Sequence, residues 1–382
     1  MRKAFRYMTA AAALAAIASF TASAAGAAEE VKIGFTAALS GDFAAYGENM
    51  QRGLELAIGE INAKSDNGGI TLAITTADDR GLPSDGVLIA QRFCSDETVD
   101  IVMGYSFSSV ALAAATIIND CQLPVLASAV TSPDLAGVSP YFRRNVLTDA
   151  VQGELAGTYA AKVLGAKRIA ALNQQDDYGI GGTDAFVAAA KAAGAEILSR
   201  EAYVLGTKDF KTQLTSIKAQ TPDLLWVGGF YTEAAKIAQQ ARQIGLDVQI
   251  LGSDGLLSPK LIELGGASID GTILYGMFDP SVAKPEVQAF VKAYKDKYGE
   301  EPNAWAALAY DAGYTLNEAA KLAAAKNGKV DRVGLNAAFA EIKAVPGVTG
   351  PTTFQENGNR EGTVVYLQVK DGKFILAPKQ LN

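Results

Sequence analysis

Histidine is missing altogether from this chain of 382 residues. That absence removes every Ser-His-Asp and Cys-His nucleophile system from consideration. No G-x-S-x-G elbow and no phosphate-binding P-loop is present either. Cysteine is scarce, with Cys94 and Cys121 the only two, and they form no CxxC motif. Thioredoxin chemistry and zinc fingers are therefore disfavoured. Positive charge is in deficit, with 34 Lys and Arg against 41 Asp and Glu, a net charge of -7. A surface of that sign repels phosphate backbones, so nucleic acid is a poor partner and none is expected. Long apolar runs are lacking beyond the first residues, and none there is suited to crossing a bilayer.

The N-terminus does carry an apolar stretch. Arg2, Lys3 and Arg6 precede an alanine-dominated run from Met8 to Phe20. Small residues follow, and both Ala22-Ser23-Ala24 and Ala25-Gly26-Ala27 fit a cleavage site. Residues 1–27 are read as a secretory signal peptide, because the run is short for a membrane anchor. No Cys lies near the cleavage region to carry a lipid. Cleavage removes three cations, taking the net charge from -7 to -10. The mature protein is then expected free in the periplasm, where an oxidising environment favours pairing Cys94 with Cys121. Both cysteines fall near the ends of expected neighbouring helices, and two buried free thiols are the alternative.

The full sequence is 49% hydrophobic and 20% charged, which suits a large globular core. Its length suggests two domains. Strand-like and helix-like segments alternate: strand Val31–Phe35, helix Gly47–Lys64, strand Thr71–Thr76, helix Ser84–Cys94, strand Asp100–Met103, helix Ser108–Cys121 and strand Leu123–Ala127. In the first helix Met50, Leu54, Ile58 and Ile61 fall on one face. The alternation restarts with helix Gln152–Leu164, strand Arg168–Asn173, helix Gly182–Ala193, strand Ala195–Tyr203, helix Phe210–Ala219, strand Leu224–Val227, helix Thr232–Ile244 and strand Gln249–Leu251. Such alternation builds parallel sheets from βαβ units, so the fold class is α/β with two similar units. Helices Pro285–Tyr298, Ala304–Ala325 and Val333–Ile342 follow without strands and should cover one unit. Strands Thr352–Phe354, Val364–Val369 and Phe374–Leu376 close the chain, with a hairpin turn at Lys370-Asp371-Gly372-Lys373. No Pro/Ser-rich linker divides the halves, which suggests several short crossovers acting as a hinge.

Chemistry-bearing motifs are few. Gly179-Ile180-Gly181-Gly182 resembles part of a dinucleotide fingerprint and is placed at a helix start, but Asp184 stands where the last Gly should be. Asp78-Asp79 is a metal candidate, outweighed by a loop-capping reading. Open parallel sheets bind ligands beyond the carboxyl ends of their strands, and three loops there are suggestive. Gly104-Tyr105-Ser106-Phe107-Ser108-Ser109 leads into a helix, whose start offers hydroxyls and free N–H groups to an anion such as a carboxylate. The segment from Ala127 to Pro133 brings Thr131 to the same place. Gly252-Ser253-Asp254-Gly255 offers Asp254 to an ammonium, or serves as a turn.

Taken together the segments resemble the branched-chain amino-acid-binding protein family, the type I periplasmic binding proteins of ABC transporters. The similarity begins at Val31-Lys32-Ile33-Gly34 and Leu39-Ser40-Gly41-Asp42-Phe43-Ala44-Ala45-Tyr46-Gly47, and continues through Gly53 and Ile61-Asn62-Ala63. It returns at Gly69-Ile70, Asp78-Asp79, Gln174-Gln175-Asp176-Asp177-Tyr178-Gly179, Lys208-Asp209-Phe210, Gly228-Gly229-Phe230 and Ala238 to Gly245. The resemblance implies two Rossmann-like lobes with parallel-sheet cores joined by a three-strand hinge. It places residues 28–147 plus 278–362 in the N-terminal lobe and 148–277 plus 363–382 in the C-terminal lobe. By position it gives the ligand carboxylate to Ser108, with main-chain groups from Ala129. Thr131 would touch both poles of the ligand and Asp254 its ammonium, Tyr178 would close from the second lobe, and Tyr46 would line the side-chain end. Phe230 stands where the family often has Tyr, and Asp254 where it often has Glu. The implied role is a monomeric, non-enzymatic receptor without cofactor, which passes a neutral, aliphatic amino acid to a membrane permease. Aromatic carboxylates, amides or urea are the alternative ligands, and a sensory receptor is the alternative role.

Overall fold

The computed structural model describes residues 29–381; the expected signal peptide lies outside the described residues. The first half runs β1 (Glu29–Ala37), α1 (Ala44–Asn62), β2 (Ile70–Asp78), α2 (Pro83–Ser95), β3 (Ile101–Gly104), α3 (Ser108–Asp120), β4 (Val125–Ala127) and β5 (Phe142–Arg144). The second runs α4 (Asp149–Thr158), β6 (Arg168–Gln174), α5 (Asp177–Ala192), β7 (Glu196–Tyr203), α6 (Lys211–Ala219), β8 (Leu224–Gly228), α7 (Tyr231–Gln243), β9 (Gln249–Gly252), α8 (Pro259–Gly265) and β10 (Ile273–Gly276). Helices α9 (Pro285–Tyr298), α10 (Ala304–Asn327) and α11 (Arg332–Glu341) precede the hairpin β11 (Val365–Lys370) and β12 (Lys373–Leu376).

Two sheets result. The first has the order β2-β1-β3-β4-β5 and is parallel throughout. The second has the order β12-β11-β10-β9-β8-β6-β7; the pairs β12-β11 and β11-β10 are antiparallel and the rest parallel. Helices cover both faces, so central strands such as Ile101–Gly104 and Leu224–Gly228 are buried at every residue. Their unbroken apolar sequences follow from that double burial. The hairpin turns at Asp371 and Gly372, both with positive φ of 49° and 72°, as a two-residue turn between twisted strands requires.

Helix α10 lies on α1 and so joins the first sheet. The contact is close because Gly53 has no side chain: a Cβ there would stand 2.0 Å from the Ala306 carbonyl oxygen. The chain passes between the two halves three times, and the passages lie side by side. The Leu147 N–H donates to Met277 Sδ at 3.3 Å, and Gly362 packs against both side chains. Each passage is a short irregular run between elements. Cys94, in the last turn of α2, is disulfide-bonded to Cys121 just after α3, with Cα atoms 5.8 Å apart.

Several expectations are corrected. The Gly179–Gly182 segment does not open its helix; α5 begins at Asp177, capped by Asp176, whose Oδ1 accepts from the Gly179 N–H at 2.8 Å. Two of these glycines have neighbours that leave no room for a side chain: a Cβ at Gly179 would stand 2.4 Å from the Gln174 carbonyl oxygen, and one at Gly181 would stand 2.6 Å from Pro133. Thr352–Phe354 makes only isolated bridges, to Val345 and Arg360. Helix Gln152–Leu164 starts earlier, at Asp149, and ends in a π-turn at Tyr159–Val163. Strands β5 and β10 and the short α8 were not foreseen; each is at most seven residues and has no alternating pattern of its own.

Candidate ligand-binding cleft

The carboxyl ends of the parallel strands in both sheets face a common gap. At the end of β3, Gly104 has φ +117°, and a Cβ there would meet the Thr36 carbonyl oxygen at 2.1 Å. Only glycine allows that approach, and it turns the Tyr105–Ser108 loop into the gap. Ser108 is the first residue of α3, and its N-cap Phe107 provides no capping side chain. The unmet N–H groups of the helix start are therefore free to meet an anion. Ser108 Oγ accepts from the Ser132 N–H at 3.2 Å, which fixes the loop after β4 against the helix. Buried Arg144 on β5 holds that loop from behind, donating to the carbonyls of Val130 at 3.1 Å and Ser132 at 2.7 Å.

From the opposite sheet comes Asp254, directly after β9 and only 2% exposed. Its Oδ1 accepts from the Tyr178 hydroxyl at 2.7 Å and its Oδ2 from Gln152 Nε2 at 3.0 Å. Burial pushes its carboxyl above the ordinary range, and those two donors act in the other direction. Tyr178 also accepts from the Gly255 N–H at 2.8 Å and stacks on Phe230, with ring centroids 5.0 Å apart. Each residue is thus held by others from the same half.

The gap is shut. Tyr46 on α1 donates to the Gly255 carbonyl, Tyr231 donates to the Asp42 carbonyl at 2.7 Å, and Trp305 Nε1 donates to the Leu257 carbonyl at 2.8 Å. Phe43 and Phe107 meet Phe230 edge-on, with centroids 5.6 and 4.7 Å away. The cavity is bounded by Tyr46, Ser106, Ser108, Ala129, Tyr178, Phe230, Asp254, Gly255 and Trp305. Its volume is only about 10 Å³, so the walls nearly touch. Ser108 and Asp254, the two polar extremes, border the same space.

Of the seven residues expected to touch a ligand, Tyr46, Ser108, Ala129, Tyr178, Phe230 and Asp254 line this cavity. Thr131 does not; it is buried, only 1% exposed, and its carbonyl accepts from the Asp149 N–H at 2.8 Å. Trp305, Ser106 and Gly255 complete the lining; Ser106 and Gly255 belong to two of the loops singled out in the sequence, and Trp305 had no role there. Trp305 opens a helix 50 residues beyond the Asp254 loop, and nothing local marks it. Gln152 and Asp149 were also missed as site residues. Asp78 and Asp79 cap the loop after β2: Asp78 Oδ1 accepts from the Leu39 and Arg80 N–H groups, and Asp79 from the Gly81 N–H and the Thr36 hydroxyl.

A family model described as a periplasmic binding protein matches residues 30–373. A Leu/Ile/Val-binding protein homolog of Brucella suis is 30% identical over 369 residues, covering 95% of this chain and 96% of the relative. Among solved structures, a leucine-binding protein from Thermotoga maritima superposes with a TM-score of 0.85 at 29% identity, covering 91% of this chain and 97% of the other. A branched-chain amino acid transporter substrate-binding protein from Streptococcus pneumoniae, in complex with isoleucine, gives 0.84 at 29% identity, with 91% and 98% covered.

Proposed function

The chain belongs to the periplasmic binding protein family, and from that premise we propose that it is the solute receptor of an ABC transporter for a neutral, branched-chain aliphatic amino acid. One observation supports this reading above the rest. A helix start bearing Ser108 and a buried carboxylate at Asp254 border one small, closed, aromatic-walled cavity. A zwitterion has two opposite poles on one carbon, and this cavity presents a complement to each. The relatives named for leucine, isoleucine and valine agree with it.

In this reading residues 1–27 direct export, and the lobes are 28–147 with 278–362, and 148–277 with 363–382. The three passages beside Leu147, Met277 and Gly362 form the hinge. The first lobe receives the ligand's carboxylate at Ser108 and α3. Closure then brings Asp254, Tyr178 and Phe230 over it and expels water, which strengthens the charge-assisted hydrogen bonds. A ligand drives closure only through contacts that exist in the closed form. The closed form is what the membrane permease recognises, and ATP is consumed by another subunit.

Aromatic carboxylates fit less well, since Asp254 would then lie buried beside an acid with no cation supplied by the ligand. A thermal-shift screen with L-leucine, L-isoleucine, L-valine and benzoate tests the choice, because a bound ligand raises the melting temperature by mass action. The amino acids should shift it and benzoate should not. A shift with benzoate alone would end the amino-acid reading.

A further inference from the structure

Away from the cleft, a second cavity of about 310 Å³ opens where the chain passes between the two halves. Small-molecule pockets begin at roughly that size. It shares no lining residue with the cleft. Leu147 and Gly362, from the first and third passages, line it between two walls.

The walls belong to different halves. Gln355, Asn359, Arg360 and Glu361 form one. That segment is fixed to the end of β5. The Arg144 N–H donates to the Gly358 carbonyl at 3.0 Å, Arg144 Nε to Asn359 Oδ1 at 2.9 Å, and Arg360 Nη1 to the Asn145 carbonyl at 2.8 Å. Thr148 and Val151, at the start of α4, form the other wall. Helix α4 is pressed onto α5, where a Cβ at Gly157 would stand 2.3 Å from the Phe186 carbonyl oxygen. In turn α5 is tied to the second sheet, since Trp226 Nε1 donates to Thr183 Oγ1 at 2.9 Å. A change of hinge angle therefore moves one wall against the other.

Hydrogen-bonding capacity is left over on the inner side. Asn359 is only 8% exposed, and with its Oδ1 taken by Arg144 its amide N–H groups have no acceptor among the described residues. Thr148 is also buried; its Oγ1 accepts from the Val151 N–H at 3.3 Å, and its own hydrogen has no acceptor among the described residues. The helix start adds partial positive charge. Arg360 adds a full one. The carbonyls of Asn145, Thr349 and Gly350 and the Thr349 hydroxyl occupy its Nη1 and Nη2, so it lends charge and not hydrogens. Asp149, the acid of that helix turn, is fully buried and does not line the pocket. The rim carries the opposite sign. Glu361 is exposed, and one of its oxygens accepts from Gln355 Nε2 at 3.2 Å, which leaves the other without a donor among the described residues. Asn359 and Glu361 are two residues apart, at most about 7 Å along the chain, so one small molecule reaches both.

We propose that this hinge pocket is a second amino-acid site. The zwitterion sets its carboxylate towards Asn359, Thr148 and the α4 start, and its ammonium towards Glu361. Its side chain lies on Leu147 and Val151, and it holds the halves at the closed angle. That the occupant is a second molecule of the transported amino acid rests on the reading of the cleft given above. The charges balance with both poles counted: Arg360 and Glu361 cancel, and the zwitterion adds no net charge. A plain anion would face Glu361, and a plain cation would face Arg360 and the helix start. Because the occupant touches both walls, each bound molecule tightens the other by linkage.

The test uses the exported receptor and L-leucine. Backbone-amide NMR should show a first saturable step at signals around Ser108 and Asp254. A second step, at millimolar ligand, should move Thr148, Val151, Asn359 and Gly362. Radiolabelled L-leucine in the cleft is then chased with unlabelled L-leucine, either just above cleft saturation or at tens of millimolar. Release should be several-fold slower at the higher concentration, where the hinge is filled. Val151→Glu puts a carboxylate in the ligand's place, and with Thr148 at the N-cap it completes a capping box that keeps the helix start intact. That variant should lose the second step and the slowed release, with the first step unchanged. Glu361→Gln should weaken the second step several-fold. A first step with no second at tens of millimolar, or a second step unaltered by Val151→Glu, would overturn the hinge site and leave the cleft reading intact. Equal release rates at both concentrations would refute the locking. Hinge signals moving with no step at the cleft would end the amino-acid reading of the cleft and keep the hinge site.

Discussion

Replacing Asp254 by Ala removes one carboxylate and leaves three groups without their partner. The Tyr178 hydroxyl and the Gln152 amide lose their acceptor, and the bound ammonium loses its counter-charge. The site is shut and Asp254 is only 2% exposed, so water cannot readily take its place. Breaking a buried charge pair from one side costs about 3–5 kcal/mol. At about 1.4 kcal/mol per factor of ten, affinity for L-leucine should fall by roughly a hundredfold to a few thousandfold. The effect on the empty protein should be far smaller. There the carboxyl is a desolvated group whose removal relieves a cost, offsetting the lost hydrogen bonds. Asp254→Asn separates charge from shape, since its amide oxygen still accepts from Tyr178; binding should be lost nearly as fully. Calorimetry measures affinity, and circular dichroism melting shows that the fold survives. Unchanged affinity in either variant would refute an ammonium held by Asp254.

Tyr46→Phe removes the hydroxyl that joins α1 to Gly255 across the gap, and one hydrogen bond is worth about 0.5–1.5 kcal/mol. L-leucine affinity should drop a few-fold to about tenfold, with scattering showing a more open empty form. Reducing the Cys94–Cys121 bond, whose ends are 27 residues apart, should cost about 3.5 kcal/mol by loop-closure entropy, read as a lower melting temperature in dithiothreitol. Gly255→Ala would press a methyl within 2.5 Å of the Tyr178 hydroxyl, so binding should be abolished while the rest of the protein still melts cooperatively. Burial raises Asp79 and Asp311 to about 6. A carboxyl raised in the folded state favours folding while protonated, so stability should fall as pH rises from about 4 through 6, by up to roughly 3 kcal/mol for each. Urea unfolding across that range checks the sign, and a rise would contradict it.

The alternation of apolar strands with amphipathic helices was legible because each long element carries its own period. Helix α1 shows Met50, Leu54, Ile58 and Ile61 on its inner face, as read. Short β5 and β10 were not legible, because three or four buried residues have no period. The glycines at 179–182 were misplaced, since the close approaches of Gln174 to Gly179 and Pro133 to Gly181 come from other elements. The cavity was legible where loops follow strands, at Ser108, Ala129 and Asp254, and at Tyr46, Tyr178 and Phe230 through family resemblance. Trp305 and Asp149 reach the region from helices that begin far away in the chain, and their neighbours in sequence say nothing about it. Thr131 was read as a ligand contact from its loop and from family resemblance; it is buried and is not among the residues that line the cavity.

The packing of α10 on α1 sets the order in which the polypeptide can assemble. Gly53 must wait for Ala306, some 250 residues later, before its face is covered. A ribosome releases the first sheet long before it makes that lid, so the nascent chain spends most of its synthesis with an uncovered apolar helix. Contacts so distant in sequence make for slow folding. Holding partners at the exit tunnel would find a long-lived, unfinished client, and truncation anywhere before α10 should yield aggregates in place of a working half.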